Sequence, residues 1–234
     1  KEKTGRNVVK VRKRRNGILD LCFFNPAVTM GVAFALNGVF PFGDRGVLII
    51  DSLHQYLPFF TECHEKLANN ETLLYSFGGG LGFNFWATFA YYLASPVNWL
   101  IILCPKKFII EFMTILIMVK TGLCGVTFTW YLDHHFEKKH FVAGVFGIFY
   151  ALSGYMAAYS WNIMWLDCIF LLPLILYGLE QLVQEKKGLF YCVTLGLSIL
   201  SNYYISIMIC IFMVIYVIVQ VILYPPTKLT DLVA

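Results

Sequence analysis

Residues 108–131 read FIIEFMTILIMVKTGLCGVTFTWY, an apolar run interrupted by only two charged side chains, Glu111 and Lys120. As a helix this run is about 36 Å long, enough to cross a hydrocarbon core of about 30 Å. Ionisable groups are costly in hydrocarbon and default to a paired or functional role. Lys120, expected near mid-membrane, therefore predicts a partner or water, whereas Glu111 falls near the outer edge.

Similar runs lie on either side, at 18–40, 141–159, 163–183 and 188–223. The last is too long for one crossing, and Ser201-Asn202-Tyr203-Tyr204 is the expected outside turn between two short spans. With 59% hydrophobic and 14% charged residues, the chain carries more apolar length than a soluble core could hide. The fold class expected is all-α, a polytopic membrane helix bundle of six spans.

Charge placement orients the bundle. Eight of the 18 basic residues are Lys1, Lys3, Arg6, Lys10, Arg12, Lys13, Arg14 and Arg15, just before the first span. By the positive-inside rule this flank is cytoplasmic. It has no aromatic partners and leads directly into membrane, so nucleic acid is not the expected partner. The expected organisation is a cytoplasmic basic tail at 1–16, a transmembrane module at 17–223 with an external loop at about 42–107, and a tail at 224–234. The apolar segment 81–104, broken at Ser95-Pro96, either crosses or lies on the outer face as amphipathic helices. Lying on the face puts Asp133 to His140 and Glu185-Lys186-Lys187 inside; crossing puts only Lys106 and Lys107 inside. The first arrangement obeys the charge rule at more loops.

Two acids then share the outer face. Asp51 opens Asp51-Ser52-Leu53-His54-Gln55-Tyr56, and Asp167 closes Trp161-Asn162-Ile163-Met164-Trp165-Leu166-Asp167. A carboxylate there can take a proton from a hydroxyl or hold a metal; the bland alternative is a solvated loop aspartate. Trp161 and Trp165 stack on a sugar or form the interfacial aromatic belt, the belt being the commoner use. Lys106 and Lys107 meet a lipid phosphate or serve as headgroup anchors. Other short matches carry less. Asn25-Pro26-Ala27-Val28-Thr29 lacks the second half that a water pore needs, Asp133-His134-His135 lacks companion metal ligands, and no Gly-Lys-Ser/Thr follows Gly78 to Gly82. The seven cysteines include no CxxC pair, so neither zinc nor a disulfide framework is signalled. Cys63, in the external loop, is expected to label from outside, and a cysteine at position 135 is not.

In order along the chain, Pro41-Phe42-Gly43, Asp51 to Phe60, Tyr75-Ser76-Phe77 with Gly80-Leu81-Gly82, and Tyr91 to Pro96 form a spaced set. Asn162 to Asp167, Leu172-Pro173-Leu174 and Ser201 to Tyr204 complete it. This set resembles the bacterial YfhO-like membrane proteins over most of the chain, from about Val39 to Tyr216, and the family is longer, so a fragment is expected. The resemblance implies a GT-C type glycosyltransferase, which takes a sugar from a polyprenyl-phosphate carrier and passes it to an envelope polymer or glycolipid on the outer face. It implies Asp51 as the catalytic base with inversion at the sugar carbon, and Asp167 as a second acid. His54, Gln55, Tyr56 and Trp165 would orient sugar or acid, and Lys106, Lys107 or Arg45 would meet the phosphate. Metal dependence is left open, Asp51 and Asp167 being the ligands if magnesium or manganese is used. A second reading is a transporter or flippase for lipid-linked or polar cargo, with Lys120 and Glu111 along its path; a third is a non-catalytic membrane scaffold.

Overall fold

The computed structural model describes residues 2–47, 51–136 and 140–223. The expected tail 224–234, Lys138, Lys139 and the side chains of the basic segment up to residue 15 lie outside the described residues. The chain forms nine α-helices among those residues: α1 Glu2–Leu36, α2 Leu57–Ala68, α3 Phe85–Thr88, α4 Ile109–His135, α5 His140–Ala151, α6 Gly154–Tyr159, α7 Ile163–Glu185, α8 Leu189–Ser201 and α9 Tyr203–Leu223. Five stretches are long and apolar enough to cross a membrane: Asn16–Leu36, Lys106–His135, His140–Tyr159, Ile163–Glu185 and Tyr203–Leu223. The shorter α8 turns back at Asn202, where Ser198 and Ser206 hydroxyls meet at 2.8 Å. The all-α polytopic bundle and the turn at Ser201–Tyr204 are both present as the sequence predicts.

Small residues let the first three crossings close up. A Cβ on Gly122 would lie 2.8 Å from the Phe23 carbonyl oxygen of α1, and one on Gly125 would collide with the Cys22 carbonyl. On α5, a Cβ at Gly147 would lie 2.7 Å from the Gly125 carbonyl oxygen. Lipid offers no hydrophobic drive between helices, so such close backbone approach and its dispersion contacts hold the seam. The outward faces are apolar: Leu21, Phe24, Val28 and Val32 on α1, and Ile207, Ile211, Val214 and Ile218 on α9, are all exposed.

The segment 85–103 does not cross. It comprises α3, a π-helical turn Phe89–Leu93, and a 3-10 helix Pro96–Leu103, with a bend of 106° at the break. Its two ends return to consecutive residues of α2. The Lys66 ammonium sits 5.5 Å above the Phe85 ring, and Lys106 pairs with Glu65. A segment whose ends share one place cannot connect opposite sides of a bilayer. It leaves and returns on one side, bent at Ser95-Pro96 rather than laid flat. The ends of the spans then sort into two faces. One carries residues 37–47, 51–108 and the 160–162 turn; the other carries His135, His140 and Glu185. We call the first the loop face.

Candidate active site

Asp51 stands at the start of a helix. It precedes the π-helical turn Ser52–Tyr56, which runs directly into α2, with Pro58 just past the junction, where the Leu57 N–H bonds back to the Ser52 carbonyl. A π turn is wider than an α turn, frequently marks functional positions, and re-aims its side chains. The half-buried Asp51 makes no side-chain cap to this helix. Its charge acts on two nearby phenols, Tyr56 and Tyr92. Burial above all, with the Asp51 charge adding to it, pushes the Tyr56 hydroxyl up, so it remains a donor. It donates to Asn162 Oδ1 at 3.0 Å, tying the turn to the start of α7.

The second π turn, Phe89–Leu93, supplies the facing wall. Tyr92 donates to Gln55 Oε1 at 3.1 Å, and the Tyr56 and Tyr92 rings meet edge to face with centroids 5.5 Å apart. The two π turns thus pack against each other through Gln55, Tyr56 and Tyr92, and Asp51 stands at the head of the first of them. His54, on the same turn, is exposed.

Asp167 is at the same end of the bundle but sealed beneath this wall. It is 1% exposed. One carboxylate oxygen accepts from Ser95 Oγ at 2.6 Å, and the other takes Lys120 Nζ at 2.5 Å. The Lys120 ammonium also donates to Asn98 Oδ1 at 2.9 Å and to the Ile163 carbonyl at 3.1 Å, using all three of its protons. The partner that Lys120 requires is therefore Asp167. The ammonium lies level with the first turns of α7 rather than at mid-membrane, because the lysine stem reaches the Ile163 carbonyl at that helix's start. A transport path along Lys120 would need it open, and it is 0% exposed.

This quartet pins the re-entrant segment. Ser95 and Asn98 flank the corner Ser95-Pro96, where the chain reverses, and both point into the pair formed by α4 and α7. Asp167 in this arrangement holds the corner that carries Tyr92, three residues earlier. It also leaves no lone carboxylate for a metal. Among the described residues no group of three or more His, Cys, Asp or Glu side chains could hold an ion, and an ion on Asp167 would have to displace Lys120. The residues present do not fit a divalent metal bridging Asp51 and Asp167.

The remaining expected residues are dispersed. Lys106 and Lys107 are exposed, Lys106 paired with Glu65 and the Lys107 ammonium 4.7 Å above the Phe108 ring. Glu65 lies at the far end of α2 from Asp51, about 20 Å along the helix at 1.5 Å per residue. The structure does not bring these lysines to the acid. Trp165 is half-buried and its indole N–H has no partner among the described residues; its ring faces Tyr159 at 6.3 Å. Trp161 instead lines a cavity of about 540 Å³ together with Asn37, Arg45 and Ser160. Sequence reasoning missed Tyr92, Ser95, Asn98 and Asn162 as working residues. The signal for Ser95 and Asn98 was Lys120 itself, since a buried ammonium needs three acceptors and only one is an acid.

With this geometry in view, the family of the bacterial membrane protein YfhO matches residues 22–232. The chain belongs to this family. The YfhO match spans both π turns, the re-entrant corner and all the spans from α1 to α9. No curated protein and no solved structure gives a significant match. Membership in the YfhO family is compatible with a membrane glycosyltransferase.

Proposed function

We propose that this YfhO-family chain is a membrane glycosyltransferase, moving a sugar from a polyprenyl-phosphate carrier to a cell-envelope acceptor, with Asp51 as general base. The basic N-terminal flank supports a cytoplasmic opposite face and an extracytoplasmic loop face, in keeping with action at the plasma membrane. The observation that carries the reading is the setting of Asp51: a half-buried carboxylate, not spent on capping, at the head of the π turn that carries Gln55 and Tyr56 and that Tyr92 meets from the re-entrant segment.

In the reaction, the Asp51 carboxylate takes the proton of the acceptor hydroxyl as its oxygen attacks the anomeric carbon. The bond from that carbon to the carrier phosphate oxygen breaks, and the polyprenyl phosphate departs from the opposite side, so the centre inverts. Gln55 and the two phenols orient the sugar and acid. Arg45, on the short connection before Asp51, is better placed than Lys106 or Lys107 to neutralise the departing phosphate. Asp167 acts through the corner it holds rather than on the substrate.

The test is transfer of radiolabelled sugar from its polyprenyl-phosphate carrier by purified protein. Asp51→Asn should lower the rate about 10²- to 10⁴-fold, the usual worth of a positioned base, with unchanged expression and melting temperature. Full activity in that variant refutes the assignment.

A further inference from the structure

The cavity of about 540 Å³ lies between the loop-face half of α1 and the α5–α6 pair. Its size is that of a small-ligand site. Thr29, Met30, Ala33 and Phe34 of α1 face Leu152, Met156 and Ala157 across it, an apolar gap. At its loop-face end the lining turns polar, with Asn37, Arg45, Ser160 and Trp161. Further down, α1 and α5 touch: the Cys22 thiol donates to the Gly144 carbonyl at 3.5 Å. The two helices therefore meet low and part toward the loop face. They are also strongly lipid-exposed crossings, each only 28% buried over its apolar window, so the gap faces the bilayer.

We infer that this gap is the seat of the carrier lipid, its phosphate at Arg45 and the first units of its chain between Ala33 and Ala157. The inference rests on the transferase reading and adds to it where the donor sits. Charge complementarity selects an anionic head: Arg45 offers a planar, permanently charged donor fork to phosphate, with the Asn37 amide and Ser160 hydroxyl beside it. Reach selects the carrier over a bulk phospholipid. Val47 lines the same cavity, and Asp51 is four positions further along the chain, so their Cα atoms are at most about 14 Å apart. A sugar on a phosphate at Arg45 would thereby lie within reach of the loop that Asp51 closes.

Retention of a radiolabelled polyprenyl phosphate by the full chain in phosphatidylcholine nanodiscs tests this without any turnover. Ala33→Trp and Ala157→Trp, both at exposed positions on stable helices, fill the gap and should each lower retention at least about tenfold. Arg45→Gln should lower it by about tenfold, the worth of a charge-assisted hydrogen bond, and should erase the preference over the phosphate-free polyprenol. Unchanged retention in both tryptophan variants overturns the inference and leaves the transferase reading standing. Equal competition by phosphatidylglycerol also overturns it, since the gap is then a seat for bulk lipid. No retention by the wild-type chain sinks the inference and the lipid-linked donor together.

Discussion

At the scale of single residues, the Lys120–Asp167 pair dominates. Both side chains are sealed, at 0% and 1% exposure, so each compensates a charge that would otherwise be stranded. Removing one partner of a buried pair costs about 3–5 kcal/mol, while replacing both by apolar groups can be nearly neutral. Lys120→Met should therefore lower the melting temperature of the purified protein sharply, and Lys120→Met with Asp167→Leu should recover most of the loss. Equal damage in the single and double variants would show that the pair is not the unit of stability. That Lys120 requires a partner was legible in the sequence, because hydrocarbon dictates it. That the partner is Asp167 was not. A carboxylate one turn past a helix start is as readily aimed into the bundle as toward solvent, and only the packing of α7 on α4 decides. The place of Asp51 outside the spans was legible for the opposite reason, since its local run falls between them whichever way they are counted.

Among elements, the seam of α1, α4 and α5 depends on backbones in contact. Gly125→Leu would push a side chain into the Cys22 carbonyl, which is backbone and cannot rotate away. Overpacking of this kind costs about 1–3 kcal/mol or more. Gly196→Ala, on α8 with no atom within 4 Å of the new Cβ, is the matched control and should melt like wild type. Thermal melts in detergent that fail to separate the two would remove the seam from the account. Helix positions were readable from apolar runs, and the α8–α9 turn from its polar residues. The seam was less so, because a glycine in an apolar run marks close approach only once the neighbouring helix is known. Loop charges favoured a segment 81–104 that stays on the outer face. They could not show how far it descends, because Asn98 reaches Lys120 through a tertiary bond.

For the whole molecule, sidedness is the property to measure. Cys63 was expected to label from outside, but it is 3% exposed and burial pushes its thiol up to about 11, so little thiolate forms at neutral pH. A membrane-impermeant maleimide should leave it unmodified in intact cells. Thr72→Cys, on the exposed part of the same loop, should label, and His135→Cys should not. Labelling at 135 with none at 72 would reverse the orientation and remove Asp51 from the face where the donor is presented. The corner at Ser95-Pro96 then acquires a role that no stability measurement would detect. It is the difference between an even and an odd number of crossings before α4. A straight helix through 85–103 would be apolar enough to pass through the bilayer, and every later span would be threaded upside down.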